Sequence, residues 1–100
     1  MFNIKQGEPG VILMSGRLDA AQAERAQAFM DQVEEPHTVD FAELDYISSA
    51  GLAVLLRTQK HLMAKGAGLR IVNISPQIME IFHYAGFDQI FQVSPAGAGT

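Results

Sequence analysis

The chain has 100 residues, 48% of them hydrophobic and 18% charged, a length and composition that suit one modest buried core and no second domain. Seven Lys and Arg stand against eleven Asp and Glu, a net charge of −4, and the basic residues are scattered singly from Lys5 to Arg70; no cationic stripe exists to neutralise a phosphate backbone, so nucleic acid is excluded as a partner. The absence of cysteine excludes disulfides, thiolate metal sites and cysteine nucleophiles together, and is compatible with a reducing cytoplasm.

Phe2 to Gln6 alternates apolar and polar residues, Gly7-Glu8-Pro9-Gly10 supplies turn chemistry, and Val11 to Met14 is continuously apolar, which predicts two adjacent strands with a tight connection. Gly16-Arg17-Leu18-Asp19 closes the second strand. Asp19 and Gln22 have capping-box spacing, and Ala23, Ala26, Phe29, Met30 and Val33 recur at helical spacing until Pro36 stops the pattern. His37 to Phe41, centred on Val39, predicts a short buried strand, and Glu43 to Ser49 a loop. Leu52, Leu55, Leu56, Leu62 and Met63 then mark one face of a second helix, Arg57, Lys60 and His61 fall mainly on the other, and Lys65-Gly66 ends it.

Leu69 to Ile74 predicts a strand, and Ser75-Pro76 a helix cap with proline in the first helical position. Ile78, Ile81, Phe82 and Ala85 form the inner face of that third helix, Gly86 ends it, Gln89 to Val93 predicts a last short strand, and residues 94–100 are small and flexible in composition. This order implies an α/β sheet covered by helices. With right-handed crossovers, the second helix starts at the carboxyl end of the strand holding Asp40, the edge where binding sites form in open α/β sheets.

The longest nearly uncharged apolar run, Ile47 to Leu56, falls far short of the ~20 residues of a bilayer-spanning helix. The start Met-Phe-Asn-Ile-Lys lacks the features of a signal peptide, so a soluble, unprocessed chain with no direct membrane insertion is expected.

Two motifs carry the functional signal: Gly16-Arg17-Leu18-Asp19-Ala20, and the run from Val39-Asp40-Phe41 through Ile47-Ser48-Ser49-Ala50-Gly51-Leu52. Together they resemble the STAS family, named for sulfate transporters and anti-sigma factor antagonists, whose signatures are Gly-x-Leu-Asp and a strand-ending Asp followed by Asp/Ser-Ser-x-Gly-Leu leading into a helix. The resemblance covers about residues 2 to 93 and implies one STAS domain over residues 1–93, a small mixed sheet of about five strands covered by helices, with 94–100 as a flexible tail.

The resemblance further implies a single-domain anti-sigma factor antagonist, not an enzyme. Ser49 maps to the phosphoacceptor, and Asp19 to a residue associated with phosphorylation or partner contact. The partner-binding set is Asp19, Ser48, Ser49, Gly51 and Arg57. An anti-sigma factor with serine kinase activity would bind the unphosphorylated form, phosphorylation would break the complex, and a serine phosphatase would restore it. The chain is expected to be cytoplasmic, monomeric by itself and without cofactors. Many antagonist members carry Asp where this chain has Ser48, so the negative charge beside the acceptor is missing and Ser48 becomes an alternative acceptor. The other use implied by the family is a small soluble subunit of a membrane lipid or anion transport complex, with the same helix face docked on an ATPase.

Simpler readings accompany these residues. Ser48 or Ser49 suits a helix cap, Asp19 suits a cap paired with Gln22, and Asp40 suits an acceptor for backbone N–H groups. A hydroxyl in the first turn of a helix lies among unpaired N–H groups at the positive end of the dipole, where phosphate is tolerated. Gly51 is expected to let a partner's backbone approach. Leu52 is expected to face the core, so that truncation to Ala costs about 2 to 5 kcal/mol. His37, His61 and His83 fall on three elements without ligand spacing, so no metal site is expected, and Met14, Met30, Met63 and Met79 suit core filling. A hydrolase using Ser49, His37 or His61 and Asp40 lacks a Gly-x-Ser-x-Gly elbow and an identifiable oxyanion hole.

Overall fold

The computed structural model describes residues 1–97. Strands β1 (Asn3–Gln6), β2 (Val11–Leu18), β3 (His37–Ile47), β4 (Leu69–Ile74) and β5 (Gln92–Pro95) form one sheet in that spatial order. The β1–β2 hairpin is antiparallel and the other three pairings are parallel. Helices α1 (Ala23–Met30), α2 (Ser49–Met63) and α3 (Pro76–Ala85) make the crossovers, so the expected order of strands and helices holds. A 3₁₀ turn, Ala20–Gln22, precedes α1, and another, Phe87–Gln89, follows α3.

Register explains why one face of the sheet is covered. Ile12, Val39, Ile71 and Val93 align across four strands, and the first three are fully buried. The intervening rows, Lys5–Leu13–Asp40–Val72 and Val11–Thr38–Arg70–Gln92, are half-buried or exposed. Side chains alternate across a strand, so burial of every second row leaves the other face open. On the covered face Phe82 of α3 meets Phe41 edge-on at 6.0 Å and Phe87 at 5.7 Å, an arrangement worth more than its buried area.

Four expectations are corrected. The segment expected to be a loop is strand, because β3 stays paired with β2 as far as Ile47 opposite Leu18, with two extra residues on the way: Leu13 and Ser15 pair with Asp40 and Glu43, and Gly16 and Arg17 with Leu44 and Tyr46. Each bulge breaks the period-two pattern, leaving the exposed pairs Ala42-Glu43 and Asp45-Tyr46 that read as loop. The first helix ends at Met30, and Val33 is buried beyond it. The inner face of α2 is Gly51, Val54, Leu55, Thr58, Gln59 and Leu62, whereas Leu52 only flanks the core and Met63 is 59% exposed. Thr58 and Gln59 enter the core because their polar atoms are satisfied: Thr58 Oγ1 donates to the Val54 carbonyl at 2.9 Å, and the Gln59 amide joins Leu69 N–H to the Ile90 carbonyl.

The last strand, finally, is displaced from the expected Gln89–Val93 and takes in Ser94 and Pro95, with Ala96 N–H donating to the Ile74 carbonyl at 2.9 Å. Of the expected tail, residues 98–100 lie outside the described residues.

Glu34, after α1, receives hydrogen bonds from Lys65 and His61 near the end of α2 and fastens that end to the β3 approach. Lys65 first, then His61, hold its carboxyl down from 4.5 to about 2. All three side chains are about half exposed, so the cluster adds little to stability.

Gly16 has φ +82°, and a Cβ there would lie 1.5 Å from the Met1 carbonyl oxygen. Gly16→Ala is therefore expected to lose at least about 1 kcal/mol from the left-handed backbone, with a further loss as the amino-terminal segment is displaced. An unchanged urea midpoint would show that this close approach is dispensable.

Candidate functional site

Strands β2 and β3 end side by side, with Leu18 opposite Ile47, and Ser48 N–H donates to the Leu18 carbonyl at 2.9 Å. Each strand leads directly into a helical turn. Asp19 caps the first: its Oδ1 accepts Gln22 N–H at 3.2 Å. Ser48 caps α2: its Oγ accepts Gly51 N–H at 3.2 Å and its carbonyl accepts Leu52 N–H at 2.9 Å. The capping readings of Asp19 and Ser48 thus describe their geometry.

Ser49 is the first residue of α2 and is exposed. The neighbouring serines are therefore inequivalent: one hydroxyl oxygen is directed at the backbone of its own helix, while the other side chain faces solvent at the positive end of the helix dipole. Ser48→Ala should cost about 1 kcal/mol through the lost cap, read as a lower urea midpoint. An undiminished midpoint would show that water satisfies Gly51 N–H equally well.

Gly51 lies differently from its expected role. It is buried, and a Cβ on it would stand 2.8 Å from both Ile47 Cγ1 and Leu18 Cγ and 3.0 Å from the Leu18 carbonyl oxygen. Its missing side chain lets α2 approach the ends of β2 and β3; the close approach is to this chain's own sheet, not to a partner. Gly51 positions the serines from beneath.

Arg57 is exposed two turns along α2, about 12 Å from Ser49 at 1.5 Å per residue. Its Nη1 donates to Gln27 Oε1 of α1 at 3.3 Å, and a groove of about 380 Å³ between the two helices is lined by Ala23, Gln27, Ala28, Ala50, Ala53 and Arg57, among others. Small side chains keep it open and Ala50 carries it to the serine edge. Asp40, by contrast, is removed from that edge by the extra length of β3. Its Oδ1 accepts Ala42 N–H at 2.8 Å and Asn73 Nδ2–H at 3.1 Å, on the open face of the sheet.

One feature of the edge escaped the sequence reading: the Arg17 guanidinium stacks 4.2 Å from the centre of the partly exposed Tyr46 ring. Only the second bulge brings these two residues into register, and no local pattern signals a bulge. Among the described residues, no three His, Asp or Glu side chains converge as metal ligands, and no helix is long and apolar enough to cross a membrane.

The molecule is a two-layer α/β domain with paired helix starts at the carboxyl edge of its parallel strands. The family model described as "Mlab, STAS domain" matches residues 2–93, and the chain belongs to the STAS domain family. It is 34% identical over 88 residues to the Bordetella bronchiseptica protein named "Putative anti-sigma factor antagonist BtrV", covering 84% of this chain and 76% of that one. A crystal structure of a "putative anti-sigma factor antagonist" from Thermotoga maritima superposes with a TM-score of 0.79 at 13% identity, over 97% of this chain and 88% of that one. The phosphorylated form of the Bacillus cell fate determinant SpoIIAA gives 0.69 at 18% identity, over 93% and 90%. At those identities the two structures establish the shared fold.

Proposed function

We propose that this chain is an anti-sigma factor antagonist, a protein-binding module without catalysis of its own, whose complex with a kinase-type anti-sigma factor is released by phosphorylation of Ser49. The observation that carries this reading is the division of roles between adjacent serines: Ser48 caps α2 while Ser49 stands exposed on its first turn. The relative named as an anti-sigma factor antagonist supplies the partner class. Phosphate at Ser49 keeps the fold, because a helix start tolerates an anion. It also adds about −1.5 to −2 charges and considerable bulk, enough to repel a docked partner.

The docking surface is the edge formed by Asp19, Ser48 and Ser49 together with the exposed side of α2 as far as Arg57. Gly51 contributes by setting the helix position. A serine phosphatase resets the switch, and the chain acts in the cytoplasm as a monomeric STAS domain over residues 1–93.

The test is capture of the kinase-type anti-sigma factor from native extract, followed by ATP-dependent labelling and mass-spectrometric mapping. Label on Ser49 supports the proposal, and label confined to Ser48 moves the switch by one residue. Capture of a transporter ATPase with no label on either serine would establish the transport-subunit alternative instead.

A further inference from the structure

A second groove, of about 670 Å³, lies at the opposite edge of the sheet, where β3 and β4 begin and the chain leads into β5. Its walls include His37, Thr38, Gly68, Arg70, Ile90 and Phe91. Gln59 of α2 also lines it, ten residues or about 15 Å along the helix from Ser49. An occupant here would leave the serine edge clear.

The chemistry of the walls is selective. In a chain of net charge −4, both ionisable side chains lining this groove, His37 and Arg70, are basic, and no carboxylate is among its described lining residues. Arg70 is exposed on β4; its Nη2 donates to Gln92 Oε1 at 3.2 Å, and no other hydrogen-bond partner for it is found among the described residues. A guanidinium has five N–H donors in a planar fork matched to carboxylate or phosphate oxygens. Ile90, 40% exposed, lines the same groove and offers it apolar surface. The Gln59 amide, bonded to Leu69 N–H and the Ile90 carbonyl, holds this wall to α2, so the groove is set by the folded core.

We propose that this groove binds a small organic oxyanion, with its carboxylate or phosphate head on Arg70 and its apolar body against Ile90. Small-molecule sites orient a ligand with a few placed polar groups, here Arg70, beside an apolar contact, here Ile90. The inference does not depend on the Ser49 switch, because it concerns the other end of the sheet.

The test is a ¹⁵N-resolved NMR titration of the full chain with phenyl phosphate, benzoate and inorganic phosphate in parallel. Saturable shifts of the Thr38, Gly68, Leu69 and Gln92 amides by either aromatic anion, with Ser48 to Gly51 unmoved, support the proposal. Phenyl phosphate saturating where benzoate does not assigns a phosphate head, and the reverse a carboxylate. Inorganic phosphate should bind at least about tenfold more weakly, since it lacks the apolar body, and Arg70→Gln should weaken the aromatic anion by about tenfold or more. Ile90→Asp, which places a carboxylate in the groove, should do the same and provides an independent check should Arg70→Gln perturb the fold. The proposal is overturned if neither aromatic anion saturates, if both variants bind like the parent, or if the shifts fall at the start of α2.

Discussion

Ser49→Asp should melt within about a degree of the parent protein and bind the anti-sigma partner two to three decades more weakly, on the order of 3 to 4 kcal/mol. The stability half follows from position. Ser49 is exposed and its side chain makes no hydrogen bond among the described residues, so its replacement removes none, and an acidic side chain in the first turn interacts favourably with the helix dipole. The binding half follows from the partner: a charge fixed on the docking edge must be desolvated or repelled when the complex forms. Ser49→Ala should bind like the parent and fail to release on addition of ATP, because the surface is kept and the acceptor oxygen is gone. Calorimetric titration of the three proteins, with thermal melts of each, reads both halves. Parent-like affinity for Ser49→Asp would remove the switch from this residue.

Gly51→Val should destabilise the fold by about 3 kcal/mol or more, against the sign that helix propensity predicts. Replacing a helical Gly gains up to about 1 kcal/mol where space allows. Here the first atom added would meet two side chains of the core at 2.8 Å and a backbone oxygen at 3.0 Å, and the oxygen belongs to Leu18, whose carbonyl also receives Ser48 N–H. Overpacking of this kind typically costs about 1 to 3 kcal/mol, and Val adds a second branch with restricted rotamers. Relief would require α2 to lift from β2 and β3, carrying Ser48 and Ser49 with it, so partner binding should fall along with stability. Gly51→Ala should show the smaller form of the same loss. Urea unfolding decides the matter: a Gly51→Val midpoint at or above the parent's would show that α2 shifts without cost.

Local signals made much of the architecture legible. Proline and glycine punctuation, the Ser75-Pro76 cap with its oxygen on Ile78 N–H, and the apolar stripes of α1 and α3 are short-range patterns with short-range causes, and they produced the correct element order. The two motifs are also readable in one dimension, and their resemblance to the STAS signatures implies one partner-binding set that includes Asp19, Ser48 and Ser49, residues that lie together where β2 and β3 end. The length of β3, the facing of α2 and the role of Gly51 depend on contacts between residues distant in the chain. The bulges become visible only against β2 and bring Tyr46 to Arg17, while continued pairing as far as Leu18 and Ile47 leaves Asp40, opposite Leu13, well inside the strand. Gly, Thr and Gln share the inner face of α2 with the expected Leu55 and Leu62, while Leu52 and Leu56 only flank the core, because the polar side chains find buried partners and the glycine permits a close approach. Local sequence sets which residues this site can use and in what order, whereas which serine is held by the backbone and which is exposed depends on where β3 ends against β2 and how closely α2 approaches both strands.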